Sequence, residues 1–277
     1  MRANELAFAK INLFLDVIGR REDGFHNIYS VMQSISLCDE ITVNATKSDN
    51  IIISLSCDDC ALPVGEDNLI YKAARKYLDV YGIKAKLDIT LTKRIPIGAG
   101  LGGGSSDAAA TLRALNKIYG LSTDEELIKI ASELGSDVPF CLIGGRAICT
   151  GRGENVSPLA VYPLNHYVVS IGKERISTPA AYKALDEKYS NFDNSTYTPI
   201  EYIGQTYNIF ESVTEVADID KIKKILIKNG AENAMMSGSG PSVFGIFATE
   251  DEARHAESEL INNGFYAYYC YTVKGVL

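Results

Sequence analysis

The spacing of hydrophobic and polar positions changes several times along the chain. In residues 7–17, AFAKINLFLDV, Ala7, Ala9, Ile11, Leu13, Leu15 and Val17 alternate with Phe8, Lys10, Asn12, Phe14 and Asp16. Successive side chains of a strand point to opposite faces, so this run predicts a strand with one apolar face. The turn REDGFHN follows, then the strand-like runs IYSVMQSISL, DEITVNA and IIISLS, joined by hairpin-length connections. EDNLIYKAARKYLDVYG shifts to helical spacing, with Leu69, Ala73, Tyr77 and Leu78 as the stripe, Asp67 or Asn68 as cap and Gly82 past the end. Period two returns in KAKLDITLTKRI, where Ala85, Leu87, Ile89 and Leu91 point inward.

PIGAGLGGGSSDAAATL, residues 96–112, joins that strand to a helix expected from about Ser105 to Tyr119. A second helix follows directly, and Ser122 with Glu125, or Thr123 with Glu126, supplies its capping box. GSDVPFCLIGGRAICTGRGE predicts a short capped segment and a glycine turn into another strand. From about Val156 the pattern changes. Strand HYVVSIG, helix STPAAYKALDEKY, polar loop SNFDNSTYTP and two helical stretches lead to AENAMM, SGSGP and SVFGIFA, then a helix from about Glu250 to Asn262 and a strand near FYAYYCYTV. The order predicts an α+β protein of two units, 1–156 and 157–277, the second with helices against an antiparallel sheet.

Length and composition agree with this: 277 residues, 46% hydrophobic and 22% charged, describe a globular chain large enough for two cores. The formal net charge of -8 argues against a general grip on nucleic acid or anionic lipid, and leaves room for a locally basic pocket for a small phosphorylated ligand. No run approaches membrane-spanning length, and the N-terminus lacks the pattern of a signal peptide, so a cytoplasmic location is expected. The six cysteines read as reduced thiols. Cys57 and Cys60 make one CxxC, but a zinc site needs two more ligands and the three histidines lie far away in sequence.

Gly98, Gly100, Gly102, Gly103 and Gly104 fall within seven positions, at an entropic cost that asks for a reason. A Walker loop requires a lysine after the last glycine, and GGGSSD has none. Gly98, Gly100 and Gly103 satisfy GxGxxG, but the helix then leads into another helix rather than a strand ending in an acidic residue. A plain turn needs one or two glycines. The remaining reading is a backbone that approaches a polyphosphate and points N–H groups at it, at the partly positive end of a helix.

PIGAGLGGGSSDAA resembles the ATP-binding motif of the GHMP kinases, which include galactokinase, homoserine kinase and mevalonate kinase. Four more segments fit the family in order: AKINLFLDVIGRREDGFH, GSDVPF, ISTPAAY and MSGSGPSVF. The triple glycine before Ser-Ser-Asp-Ala-Ala is similar to the branch acting on a cytidine diphosphate-linked methylerythritol. The resemblance implies an N-terminal unit like the second domain of ribosomal protein S5 and a ferredoxin-like C-terminal α/β sandwich. It implies transfer of phosphate from ATP with Mg2+ to that small alcohol, by a monomer or homodimer. Kinases of homoserine or mevalonate type, or a non-catalytic ATP or sugar sensor, are the alternatives.

Residue by residue, the resemblance makes Lys10 and Asp137 catalytic, Asp137 taking the hydroxyl proton; otherwise Lys10 is a charge blunting a sheet edge and Asp137 a helix cap. It places Pro96, Ile97, Gly98, Ala99, Gly100, Leu101, Gly102, Gly103, Gly104, Ser105 and Ser106 around the triphosphate, with Lys93. Asn68 and Leu69 lie near the adenine. Ser106, with Asp137, is a candidate magnesium ligand. For the second substrate it implies Asn12, Ser239, and Phe25 and Tyr182 sandwiching a cytosine whose edge His26 reads. The family more often has tyrosine where this chain has Phe25. Asn208 and Glu211 of NIFE depart from the frequent Asn-Asp-Phe-Glu form and receive no catalytic role.

Overall fold

The computed structural model describes every residue except 60, 161, 175, 190–205 and 277, so Cys60 and most of the SNFDNSTYTP loop lie outside the described residues. The chain opens with two long antiparallel strands, β1 (Arg2–Arg20) and β2 (His26–Lys47), which pair over nearly their full length. β2 is one strand where the pattern divided it at Cys38–Asp39–Glu40. Asp39 does not break it because its carboxylate, fully buried, accepts the N–H groups of Arg94 at 2.5 Å and Ile95 at 2.8 Å.

The register of β1 shifts between Phe8 and Lys10, between Asn12 and Phe14, and between Val17 and Gly19. At the first shift Ala9 spans three residues of β2, and the second and third each add one residue to β1, so the side chains turn over along the strand. The single apolar face expected for 7–17 is therefore divided. Ala7, Leu15 and Val17 enter the core beneath the helices, while Ala9, Ile11 and Leu13 enter a second core on the opposite side of the sheet.

The N-terminal unit continues with β3 (Ile52–Cys57), α1 (Leu69–Val80), β4 (Ala85–Thr92), α2 (Gly103–Tyr119), α3 (Asp124–Leu134), α4 (Val138–Ile143), β5 (Arg146–Gly151) and β6 (Asn155–Pro158). Asn68 caps α1 and Thr123 with Glu126 makes the capping box of α3. α2 begins two residues earlier than expected, so Gly103 and Gly104 are its first turn and Gly102 its cap. Ala108, Ala109, Ala110 and Ala114 are fully buried, and their small side chains let α2 lie close against β1 and α1.

β7 (His166–Ile171), α5 (Thr178–Lys188), β8 (Tyr207–Asn208), a short 3₁₀ turn (Ile209–Ser212), α6 (Ala217–Lys228), β9 (Asn233–Met236), β10 (Ser242–Phe247), α7 (Glu250–Asn262) and β11 (Tyr266–Tyr271) complete the chain. β7, β10, β9 and β11 form a second sheet in the order β11-β7-β10-β9. The path β7–α6–β9–β10–α7–β11 is a ferredoxin-like split βαβ arrangement. Its inner face presents Tyr167, Val169, Phe244 and Ile246 to Ile11, Val31 and Ile35 of the first sheet, which makes the second core. β8 returns to the first sheet and pairs with β1, with Tyr207 opposite Phe14 and Asn208 opposite Leu15. The protein is thus a two-unit α+β fold in which chain from the second half helps to build the first sheet. No helix among the described residues is long and apolar enough to cross a membrane.

Candidate active site

Two cavities meet at the glycine segment. One, of about 680 Å3, runs from Lys10, Asn12 and Asp137 to Phe25, His26 and Tyr182. The other, of about 300 Å3, is lined by Pro96 to Ser105 together with Leu62, Leu69, Lys93 and Asp107. Gly100, Gly102 and Ser105 line both, so this stretch is the wall between them.

The local sequence explains how the wall is built. Ala99 and Leu101 are buried plugs in the second core. Gly100, at φ +78°, has no room for a side chain, because a Cβ there would stand 2.9 Å from the Ser237 carbonyl oxygen and 3.0 Å from that of Gly240. The first helical hydrogen bond of α2 runs from the Ser106 N–H to the Gly102 carbonyl, 2.9 Å. The N–H groups of Gly103, Gly104 and Ser105 thus have no acceptor within the helix and form a cup of the kind that receives an anion.

Lys10 sits in the middle of β1 and is 5% exposed, which is unusual for a lysine with an entire sheet to avoid. Its ammonium donates to Asn12 Oδ1 at 2.8 Å and lies 3.5 Å from Asp137 Oδ2. Asn12 is itself fixed: its Nδ2 donates to Ser30 Oγ at 2.8 Å, and Ser30 donates to the Phe14 carbonyl at 2.7 Å. Asp137 stands at the N-cap of α4, yet its side chain makes no capping hydrogen bond. Its carboxylate lines the cavity with about three-tenths of its surface exposed.

At the far end of the large cavity His26 is buried, with its Nε2 2.7 Å from Asp186 Oδ1. Its ring stacks on Tyr182 at 4.8 Å, and Tyr182 meets Phe210 edge-on at 4.9 Å. Burial pushes the Tyr182 phenol up to about 12. Phe25 and Tyr182, the pair expected around a cytosine, both line this cavity, and Tyr182 also contacts His26 and Phe210. Phe25 is the open ring, 52% exposed, with the Arg152 guanidinium 5.1 Å from its centre. Ser239 lines the same cavity and shares a hydrogen bond of 2.8 Å with Thr178.

Three further expectations change. Ser106 is buried and its hydroxyl donates to the Phe8 carbonyl at 2.6 Å, so it faces the core and cannot reach a metal beside phosphate; Ser105 is the hydroxyl that faces both cavities. The Asn68 amide accepts from the Ile70 N–H and donates to the Pro63 carbonyl, which leaves Leu69 as the member of that pair lining the small cavity. The Lys93 ammonium points inward to Asp39 and Asp107.

Residues 68–145 match the family described as GHMP kinases N terminal domain, and residues 204–267 match GHMP kinases C terminal. A protein of Caldanaerobacter subterraneus subsp. tengcongensis named 4-diphosphocytidyl-2-C-methyl-D-erythritol kinase is 42% identical over 272 residues, covering 94% of this chain and 93% of that protein. One of the same name from Caldicellulosiruptor saccharolyticus is 40% identical, covering 92% and 91%. The chain belongs to the GHMP kinase family. A crystal structure of 4-(cytidine 5'-diphospho)-2C-methyl-D-erythritol kinase superposes with a TM-score of 0.84 at 35% identity, over 99% of this chain and all of that one.

Within this GHMP kinase the sequence reading passed over several cavity-lining groups: Ser136, Arg152, Thr178, Lys183 and Asp186. Ser136 and Thr178 stand in the family-like segments GSDVPF and ISTPAAY and Arg152 in a glycine turn, where their neighbours took the assignments, while Lys183 and Asp186 are ordinary polar positions of α5. Asn208, expected to have no catalytic role, has a structural task. Its Nδ2 donates to the carbonyls of Met236 at 2.7 Å and Gly238 at 2.8 Å, holding the SGSGP turn against Lys10. Membership of the family implies ATP as the phosphate donor.

Proposed function

We propose that this protein transfers the γ-phosphate of ATP to the 2-hydroxyl of 4-diphosphocytidyl-2-C-methyl-D-erythritol. The observation that carries the reading is the shared wall: an anion cup and an amine–carboxylate pair lie on two sides of the same three residues, Gly100, Gly102 and Ser105. Phosphoryl transfer requires a donor held on one side, an acceptor in line on the other, and charge neutralisation between them. Relatives about 40% identical over nine-tenths of the chain carry this activity in their names, which favours it over a homoserine or mevalonate kinase.

In this reading the triphosphate lies against the backbone from Pro96 to Ser105, and adenine lies beside Leu69. Asp137 accepts the hydroxyl proton while the acceptor oxygen bonds to the γ-phosphorus and the bond to the β–γ bridging oxygen breaks, releasing ADP. Lys10, aimed by Asn12, faces the negative charge that builds on the transferring group. The open face of Phe25 supports the cytosine, with His26 at the base edge. Retention of both Lys10 and Asp137 argues against a non-catalytic sensor.

Among the described residues no three His, Cys, Asp or Glu side chains converge as a metal site. That suits magnesium, which keeps several waters and is carried largely by phosphate oxygens. Ser105 and Asp137 are the protein donors this wall offers, and the ion, when bound, supplies charge neutralisation on the β- and γ-phosphates. The boundary expected at 156/157 falls inside β6, whose residues pair with β5 of the first sheet.

An ATP-consumption assay across candidate alcohols tests the function. Turnover with the cytidine diphosphate-linked methylerythritol and none with homoserine or mevalonate is the expected result. The reverse preference would refute the assignment.

A further inference from the structure

At the edge of the small cavity, which Lys93 and Asp107 help to line, lies a buried cluster of charge beneath the glycine wall. Lys93, at the exit of β4, has its ammonium hydrogen-bonded to Asp39 Oδ2 of β2 and, at 3.1 Å, to Asp107 Oδ2 in α2. All three side chains are at most 5% exposed. Burial lowers the affinity of Lys93 for its proton, but the two carboxylates outweigh it and hold the ammonium above its ordinary value. The other oxygen of Asp39 accepts the N–H groups of Arg94 and Ile95, which begin the segment leading into the wall. A Cβ on Gly103 would stand 3.0 Å from Lys93 Nζ and 3.1 Å from the Ile95 side chain, so the first turn of α2 rests directly on this cluster.

We propose that Asp39, Lys93 and Asp107 form a positioning cluster that sets the glycine wall at the height a triphosphate requires, with Lys93 acting from below and not as a phosphate ligand. The inference rests on the reading that ATP binds at the wall. Its physical basis is the fixed geometry of a shared ammonium. One cation bonded to a carboxylate from the sheet and another from the helix ties the two ends of the glycine segment together: Asp39 holds its entry and Asp107 its exit. Backbone donors bind an anion well only when they are held in place beforehand. A lysine that instead reached for phosphate would deprive the buried Asp39 and Asp107 of the cation they share, an arrangement of high cost.

Steady-state kinetics and calorimetric titration with ATP, on the full chain, separate the two roles through K93M, D39N and D107A. Positioning predicts that D39N and D107A each raise the KM and Kd for ATP about fivefold or more, as K93M does, while the KM for the alcohol stays within about twofold. A direct phosphate contact predicts the opposite order. Releasing the ammonium by D39N or D107A would then leave ATP binding unchanged or tighter, and only K93M would weaken it; that result overturns the inference. Each carboxylate variant keeps Lys93 paired with the remaining aspartate, so if one fails to fold the other reads the same difference. Equal damage to the KM for the alcohol and for ATP would assign the cluster to general stability and also overturn it. Wild-type protein that does not bind ATP would remove the parent reading as well, whereas wild-type binding with unaltered variants removes this inference alone.

Discussion

Gly102 lies on the stem of Lys10: a Cβ at residue 102 would come within 2.9 Å of the lysine Cγ. The Gly102 backbone therefore rests on the Lys10 side chain, and the Lys10 N–H donates to the Leu101 carbonyl at 2.9 Å to fix the contact. Gly102 also has φ +71°. Gly102→Ala should cost about 1–2 kcal/mol for the left-handed backbone alone, and the displaced lysine should lower kcat about tenfold or more. Thermal unfolding and kinetics check both parts; unaltered kcat would disconnect the wall from Lys10.

Phe25 offers the more exposed ring of the large cavity, which Tyr182 also lines. Phe25→Ala should raise the KM for the cytidine-bearing substrate about tenfold and the KM for ATP by less than twofold, since aromatic contacts contribute about 0.5–1.5 kcal/mol beyond buried area. Equal effects on both substrates would reject the cytosine assignment.

Asn208 joins β8 to the SGSGP turn through two buried carbonyls. Asn208→Ala leaves both acceptors without their donor and should destabilise the protein by about 1–3 kcal/mol. Denaturant unfolding measures this, and a loss well below 1 kcal/mol would mean the turn is held by other contacts.

Burial pushes the Asp107 carboxyl up to about 8. Because the folded state then holds a proton that the unfolded chain has released, the Asp107 contribution to stability is present below the unfolded value near 4 and is lost as pH rises through about 8. Asp107→Asn has no such proton. In metal-free and nucleotide-free buffer, its melting temperature should fall less than that of the wild type between pH 5 and 8. Parallel pH profiles would contradict the shift.

Much of this architecture was legible in the chain. A helical stripe placed α1, a capping box placed the start of α3, and glycine content marked the segment that walls both cavities, because these are local properties. The two faces of β1 were misjudged because bulges depend on pairing with β2, which no single segment carries. Lys10, Asn12 and Asp16 were visible as polar residues within an apolar run, but their partners Ser30 and Asp137 come from distant elements. The same holds for Lys93 and Ser106. Their residue types fit phosphate and metal chemistry, and only the packing of α2 against β1 and β2 turns Lys93 toward Asp39 and Ser106 toward the Phe8 carbonyl.

The central claim is that Asp137 serves the reacting hydroxyl and not the fold, and Asp137→Asn tests it most directly. The account predicts calorimetric ATP binding and a melting temperature close to those of the wild type, with turnover reduced about 10²–10⁴-fold, the usual contribution of a positioned base. Turnover within a few-fold of wild type, with the nucleotide still bound, would contradict it.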